Sequence, residues 1–252
     1  MITRLSGDSK TRFEGRGEVY AKYRPRYPPE ILKILQSNAN LNESHVIADI
    51  GSGTGILSEI FLRNRNQVYG VEPNDDMRKM AEDYLSTLPN FVSIKGSAEE
   101  TNLKSASIDL ISVGQALHWF DLSRCRLEFL RILKEGGWIC VVYNERSSSD
   151  EVTVKYGEIV QKHANKSIPM NEYVPPSKLL GSYSQFYLPN EQRLDLDGLI
   201  GRAVSASYSP NYDEEGFPSL RYDLKELFER RQEDGRITLR YDTRLFLGKI
   251  SP

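Results

Sequence analysis

The stretch that decides the fold reads Val46-Ile47-Ala48-Asp49-Ile50-Gly51-Ser52-Gly53-Thr54-Gly55. It starts as a short apolar strand and runs directly into three glycines at alternate positions. Glycine lets the backbone approach a ligand where a Cβ would collide with it. In open α/β sheets, ligands bind at turns that leave the carboxyl ends of the strands. The stretch therefore predicts a strand, a ligand-binding turn and a helix.

Strands and helices alternate on both sides of this turn. The helix before it opens at Pro28 and Pro29, where proline suits a first helical turn. Hydrophobic spacing predicts strands over 45–50, 67–71, 91–95, 108–113, 138–143, 183–188 and 236–248. It predicts the following helices over 56–64, 74–85, 122–133, 196–206 and 218–231. This order favours an α/β fold with a Rossmann-like, doubly wound, mostly parallel sheet and an antiparallel C-terminal strand.

The chain reads as one domain over 1–252 with two additions. Residues 1–27 are charged and aromatic, and we expect them to fold over the bound ligand. Residues 145–180 interrupt the alternation with a polar, proline-containing stretch. We interpret 145–180 as an inserted helical cap over the sheet edge that carries the active site.

Composition limits the class of protein. The 252 residues include 39% hydrophobic ones and have a net charge of −2, which gives no general affinity for nucleic acid or anionic membranes. Cys125 and Cys140 form no CxxC pair and no metal-ligand spacing, so we expect buried, reduced thiols and no metal. Residues 1–13 lack an apolar signal core, and no apolar stretch approaches the ~18 residues of a membrane span. We therefore expect a cytoplasmic protein.

The spacing of the glycines discriminates between ligands. A dinucleotide site has the pattern GxGxxG, whereas here the pattern is GxGxG and Ile56 stands where the third glycine would be. There is no Gly-Lys-Ser/Thr sequence after the turn, which argues against a phosphate-binding P-loop. Asp49 places a carboxylate beside the ligand, where it would repel a diphosphate and attract an ammonium group.

At these residues the sequence resembles the class I S-adenosylmethionine-dependent methyltransferases. Their first motif, Glu/Asp-x-Gly-x-Gly-x-Gly, is matched by Asp49, Gly51, Gly53 and Gly55. The resemblance implies S-adenosylmethionine as the cofactor. It also implies that this turn, with Ser52, holds the amino-acid tail of the cofactor.

Two later strand ends extend the resemblance. Glu72 follows Gly55 by 17 positions and is expected to accept hydrogen bonds from both ribose hydroxyls. Met77 is expected either against the adenine or in the core, and both readings stay open. In the family, Gly-Asp-Ala often follows the third strand, but here Ser97 replaces the aspartate before Ala98. The resemblance still implies adenine contacts from Ser97 and Ala98.

The fourth strand ends in a polar and aromatic edge that includes Gln115, His118 and Trp119. This edge, together with 20–28 and 201–208, resembles the small-molecule branch that contains trans-aconitate methyltransferase. By this resemblance Gln115 contacts the cofactor and Trp119 contacts the substrate. His118 is the candidate general base, and a structural hydrogen-bonding role is its alternative.

The aromatic and basic segment near residue 20 supplies three further candidates. Tyr23 and Arg24 are expected to contact the cofactor, and Arg26 is expected to contact the substrate. Arg24 and Arg26 would each suit the cofactor carboxylate or an acidic substrate.

The sequence predicts a methyl transfer to a small molecule, with a carboxylate or a hydroxyl as the acceptor group. Asn/Asp-Pro-Pro-Tyr/Phe, which marks methylation of base nitrogens, is missing after the fourth strand, so a nucleic-acid substrate is not expected. Two alternatives remain: a nicotinamide-dependent oxidoreductase on a similar sheet, and an S-adenosylmethionine-binding protein without turnover. No membrane partner is expected, and monomer and homodimer both stay open.

Overall fold

The computed structural model describes residues 22–165 and 173–250. These residues form a seven-stranded sheet with helices around it. Its strands are β1 (Val46–Ile50), β2 (Gln67–Glu72), β3 (Phe91–Lys95), β4 (Ile108–Gly114), β5 (Leu133–Arg146), β6 (Leu180–Leu194) and β7 (Ile237–Ile250). They lie in the order β3-β2-β1-β4-β5-β7-β6. β1 to β5 pair in parallel, and β7 is antiparallel to both of its neighbours. The predicted Rossmann-like sheet with an antiparallel C-terminal strand is confirmed.

Helices connect and cover these strands. They are α1 (Glu30–Ala39), α2 (Ser58–Arg63), α3 (Asp75–Tyr84), α4 (Leu122–Ile132), α5 (Glu151–Lys162), α6 (Leu196–Val204) and α7 (Phe217–Arg231). Asn74 caps α3, since its Oδ1 accepts a hydrogen bond from the Met77 amide at 2.9 Å. Within the described residues, no helix combines the length and the apolar composition that crossing a membrane requires.

Both faces of β1 are buried, as a parallel sheet requires. Ile47 packs in the cluster that contains Ile31 of α1 and Phe61 of α2. Ile50 packs in the cluster that contains Phe129 of α4. Burial of each such side chain stabilises the fold by about 1.5–3 kcal/mol. This packing holds the turn after β1 in place from both sides.

The two cysteines are packing residues. Cys125 and Cys140 are both buried and free, and burial raises the pKa of each thiol above its usual value. The prediction of buried, reduced thiols is confirmed. A buried thiol with a raised pKa is a poor nucleophile.

The junction of α4 and β5 differs from the prediction. The helix ends at Ile132, and β5 starts at Leu133 rather than at the predicted position 138. Leu133 pairs with Ile108 and Trp138 pairs with Leu110, so β5 advances by five positions while β4 advances by two. The extra residues leave the ladder as an irregularity, and Gly136 has a φ of 76° there. A bulge of this kind has no hydrophobic periodicity by which to predict it.

β6 is longer than the predicted 183–188. Its register with β7 runs from Leu180, opposite Ile250, to Leu194, opposite Ile237. Exposed residues alternate with half-buried ones over much of β6, and both sets include polar side chains. Pairing with β7 therefore extends β6 beyond its apolar segment, which is a long-range effect.

The stretch 145–180 contains α5, whose N-terminus is capped by Asp150. Tyr156 of α5 packs with Leu199 of α6 and Leu224 of α7, so α5 belongs to a small helical cluster. Residues 166–172 lie outside the described residues. A cap over the sheet edge therefore stays a prediction.

The part of the N-terminal segment that the structure describes is tied to β5 and β6 by amide side chains. Gln192 Nε2 donates to the Tyr23 carbonyl at 3.1 Å, and Asn144 Nδ2 donates to the Arg26 carbonyl at 3.2 Å. Residues 1–21 of the predicted ligand-covering segment lie outside the described residues.

Candidate active site

The glycine-rich turn has the left-handed backbone that its residues allow. Gly51, Gly53 and Gly55 have φ values of 68°, 54° and 80°. A Cβ on Gly51 would lie 2.7 Å from Ala116 Cβ, whereas a Cβ on Gly53 would meet nothing within 4 Å. Gly51 therefore allows close packing against the segment after β4. Gly53 exposes its backbone to open space.

Asp49 lies directly beneath this turn and is 1% exposed. Its carboxylate accepts hydrogen bonds from Ser58 Oγ at 2.6 Å and Ser112 Oγ at 2.9 Å. Burial raises the pKa of this carboxyl to about 6, although both hydroxyls favour the charged form. At neutral pH, Asp49 is thus a buried negative charge at the base of the turn.

Glu72 ends β2 beside the same turn. Its Oε2 accepts from the Gly53 amide at 3.1 Å, and its Oε1 accepts from the Asn74 amide at 2.9 Å. Burial raises the pKa of Glu72, and these two hydrogen bonds oppose the shift. Because both oxygens are held by backbone amides, the orientation of the carboxylate is fixed before any ligand binds.

Two adjoining depressions lie at this edge of the sheet. We call the larger one the main cleft, and Glu72, Ser97 and Tyr208 are among the residues that line it. We call the smaller one the inner pocket, and Asp49 and Arg202 are among its lining residues. Gly51, Gly53, Gln115 and Arg24 line both. The two depressions therefore meet at the glycine-rich turn.

Most of the predicted site residues meet here. The main cleft is lined by Arg24, Gly51, Gly53, Glu72, Met77, Ser97, Ala98, Gln115, His118 and Trp119. The inner pocket adds Asp49 and Ser52. Gly55 lies behind the turn, where a Cβ would come within 2.6 Å of Leu85 Cδ1. Met77 is 4% exposed, so it contributes to the core and to the cleft wall at the same time.

The segment after β4 presents its side chains through a strained turn. Gln115 has a φ of 56°, a conformation that non-glycine residues seldom adopt. Its Nε2 donates to the Asn144 carbonyl at 2.8 Å, which holds the side chain against β5. The His118 and Trp119 rings follow in a short 3₁₀ turn, with their centroids 4.9 Å apart. Strain of this kind clusters at functional sites.

Two predicted site residues, Arg26 and Tyr23, do not line the main cleft or the inner pocket. The Arg26 guanidinium lies 4.5 Å above the Tyr84 ring, and its Nη1 is 3.6 Å from Glu59 Oε2. This places Arg26 in an exposed ion-pair group outside the main cleft and the inner pocket. The Tyr23 ring packs against Gly201 of α6, where a Cβ would come within 2.3 Å of it.

Sequence reasoning missed the contribution of the segment around α6. Arg202, Ser207 and Tyr208 line the two depressions, although they lie more than 130 positions after the glycine-rich turn. Arg24 Nη2 donates to the Ser205 carbonyl at 2.7 Å, which joins this segment to the N-terminal one. The resemblance over 201–208 was the one sequence signal for this segment. It did not indicate where the segment lies relative to the glycine-rich turn.

The depressions suit S-adenosylmethionine. Open space at Gly53 leaves room for a ligand against the backbone, and the Glu72 carboxylate stands nearby. Thr54 Oγ1 is buried and has no hydrogen-bond partner among the residues that the structure describes. A buried hydroxyl without a partner is costly, and a polar ligand in the inner pocket would satisfy it. The residues present therefore fit this cofactor.

Comparison with known proteins gives the family. A family model described as a methyltransferase domain matches residues 48–141. An uncharacterized methyltransferase of Mycobacterium tuberculosis is 32% identical over 189 residues, which cover 75% of this chain and 74% of the relative. The malonyl-(acyl-carrier protein) O-methyltransferase of Marinomonas sp. is 26% identical over 208 residues, which cover 79% of this chain and 73% of that protein.

A solved structure described as a type II methyltransferase from Anaeromyxobacter dehalogenans has the same fold. Its TM-score is 0.68 at 21% identity, with 91% of this chain and 99% of that chain covered. This chain belongs to the S-adenosylmethionine-dependent methyltransferases, and its cofactor is S-adenosylmethionine. These findings favour a transferase over the oxidoreductase alternative.

Proposed function

We propose that this enzyme transfers a methyl group to an oxygen of a small molecule, either a carboxylate or a hydroxyl. The proposal includes the small-molecule branch that the sequence resembles. The observation that carries it is the lining of the main cleft by Arg24, His118, Ser207 and Tyr208. These side chains are a cation and hydrogen-bonding groups, which suit an oxygen acceptor.

The cofactor roles follow from position in the same proposal. Glu72 accepts hydrogen bonds from the ribose hydroxyls, because its carboxylate is already oriented at the end of β2. Met77, Ser97 and Ala98 form the adenine end of the main cleft. The turn over 51–55 holds the methionine end at the junction with the inner pocket.

When bound, the cofactor supplies an electrophilic methyl group on a positively charged sulfur. Arg24 would hold an anionic acceptor by its charge. Trp119 would exclude water and present an aromatic face to the positive charge. A carboxylate acceptor needs no base, whereas a hydroxyl acceptor would give its proton to His118. Much of the rate enhancement would come from the alignment of the reacting atoms.

One relative supports an oxygen acceptor. The Marinomonas protein is named as an O-methyltransferase for a malonyl group, and it covers most of this chain. The net charge of −2 argues against a nucleic-acid acceptor, since nucleic-acid binding depends on basic surfaces.

The test uses the full chain with S-adenosylmethionine labelled in its methyl group. Separate reactions would contain small carboxylic acids, small alcohols and phenols, a malonyl thioester, or total RNA, with product detection by mass spectrometry. We expect label in a methyl ester or a methyl ether. Label confined to RNA would overturn the proposal. Cofactor binding without a methylated product from any pool would favour the alternative without turnover.

A further inference from the structure

Arg202 of α6 is a buried cation. It is 8% exposed, and its guanidinium donates from Nε to Tyr241 Oη at 3.1 Å and from Nη1 to Ser205 Oγ at 3.3 Å. Both partners are neutral hydroxyls. Among the described parts of the chain, no carboxylate lies within 4.0 Å of this guanidinium. A buried charge without a counter-charge is unfavourable unless a ligand supplies one.

Arg202 lines the inner pocket together with Asp49 and Thr54. Asp49 is equally buried and accepts from two serine hydroxyls, and no cation of the described residues forms an ion pair with it. The inner pocket therefore has one positive and one negative group on its wall, each without an ionic partner. The orphaned hydroxyl of Thr54 belongs to the same wall.

We propose that Arg202 binds the α-carboxylate of the cofactor, opposite the α-ammonium group that Asp49 faces. A zwitterionic α-amino acid end supplies one counter-charge to each of the two buried groups. The inner pocket adjoins the glycine-rich turn, whereas His118, Trp119 and Tyr208 line the main cleft. Arg202 therefore acts on the cofactor tail rather than on the methyl acceptor.

Arg24 is the competing candidate for this carboxylate, since it lines both depressions. Its Nη2 donates to the Ser205 carbonyl at 2.7 Å, and the Ser205 hydroxyl accepts from Arg202. Ser205 thus joins the two guanidinium groups. The buried position of Arg202 on the Asp49 side of the site favours Arg202 as the carboxylate ligand.

The test compares two ligands by calorimetry on the full chain. S-adenosylhomocysteine has the amino-acid tail, and 5′-methylthioadenosine lacks it. We expect Arg202→Met to weaken S-adenosylhomocysteine binding by about 30-fold or more. The same variant should bind methylthioadenosine as the wild type does, within about twofold. Arg221→Met is the matched control, because Arg221 is an exposed arginine of α7.

Equal losses for both ligands in Arg202→Met would overturn the inference and show a structural role. An unchanged affinity for S-adenosylhomocysteine, with a loss in Arg24→Met, would assign the carboxylate to Arg24 instead. If Arg202→Met does not fold, Arg202→Lys serves with a decarboxylated S-adenosylhomocysteine as the second ligand. We then expect Arg202→Lys to weaken binding of the carboxylated ligand alone, and equal effects on both would contradict the inference. Neither result depends on the methyl acceptor.

Discussion

Ser58 Oγ donates a hydrogen bond of 2.6 Å to Asp49 Oδ2 at a place where neither group reaches solvent. The serine comes from the first residue of α2, and the aspartate comes from β1. This contact joins the two elements that flank the glycine-rich turn. It also keeps a negative charge in the interior, where burial is unfavourable to it.

Asp49→Asn should stabilise the ligand-free protein at high pH. The folded-state pKa of Asp49 is about 6, above the ordinary 3.8, so the folded protein holds this proton more tightly than the unfolded chain. Stability is therefore lost as pH rises from about 4 to above 6, by about 3 kcal/mol in total. Asparagine removes this cost, and either serine hydroxyl can reorient to accept from its amide.

Urea unfolding at pH 8 and pH 4 measures this difference. We expect Asp49→Asn to raise the free energy of unfolding over the wild type at pH 8 and to leave it nearly unchanged at pH 4. The same variant should bind S-adenosylhomocysteine more weakly, because the partner of the ammonium group is gone. A destabilisation of similar size at both pH values would contradict the role of charge.

Glu72→Gln should lower cofactor affinity without unfolding the protein. Both carboxylate oxygens accept from backbone amides, those of Gly53 and Asn74. The amide nitrogen of glutamine cannot accept, so one of these donors loses its partner and the ribose loses an acceptor. We expect S-adenosylhomocysteine affinity to fall about 10- to 100-fold by calorimetry.

Asp75→Asn is the control for this prediction. Asp75 lies three positions further on, its side chain is 65% exposed, and it pairs with Arg78 and Lys95 on the surface. Affinity should stay within about twofold of the wild type. Equal losses in both variants would show a general electrostatic effect and remove the assignment of Glu72 to the ribose.

Gly53→Ala and Gly136→Ala separate backbone strain from ligand contact. Both glycines have positive φ values, 54° and 76°, and at both a Cβ would meet nothing within 4 Å. Each alanine should therefore cost a similar amount of stability, about 1–2 kcal/mol. Cofactor affinity should fall in Gly53→Ala alone, which calorimetry and thermal melts of the two variants would show. Retained affinity in Gly53→Ala would mean that the open space there is not used by the cofactor.

Arg26→Ala should leave the Michaelis constant for the acceptor unchanged. The Arg26 side chain is 47% exposed and contacts Glu59 and Tyr84 outside the main cleft. Loss of this exposed group should cost at most about 1 kcal/mol of stability. Steady-state kinetics with the identified acceptor would check this, and a large increase in KM would restore the substrate role that the sequence suggested.

His118→Ala distinguishes the two proposed acceptor groups. With a carboxylate acceptor, kcat should fall by less than about tenfold, because no proton has to leave. A loss above about 100-fold, the low end for a general base, would identify a hydroxyl acceptor. The pH profile of kcat supplies an independent readout, since removal of a base also removes its acidic limb.

Local sequence patterns predict much of the secondary structure of this protein and part of its site. The alternation of strands and helices follows from periodicity, the cysteines lie in apolar stretches, and the glycine motif with Glu72 carries the resemblance to the family. Such signals are carried by neighbouring residues, so a linear chain displays them. The sequence predicted β5 and β6 too short, because bulges and pairing with β7 depend on distant residues.

The positions and burial of the charged side chains in the site depend on tertiary packing. The sequence identified Asp49 by its place before the turn, but its burial and raised pKa depend on Ser58, Ser112 and the surrounding core. The resemblance over 201–208 includes Arg202 but gives it no role, and the return of the chain through β6 and α6 brings this residue to the inner pocket. Arg24 and Arg26 are two positions apart, yet one lines the main cleft and the other pairs with Glu59 on the surface. Side chains that are close in sequence separate in this way because their direction and burial depend on long-range contacts, which no local pattern records.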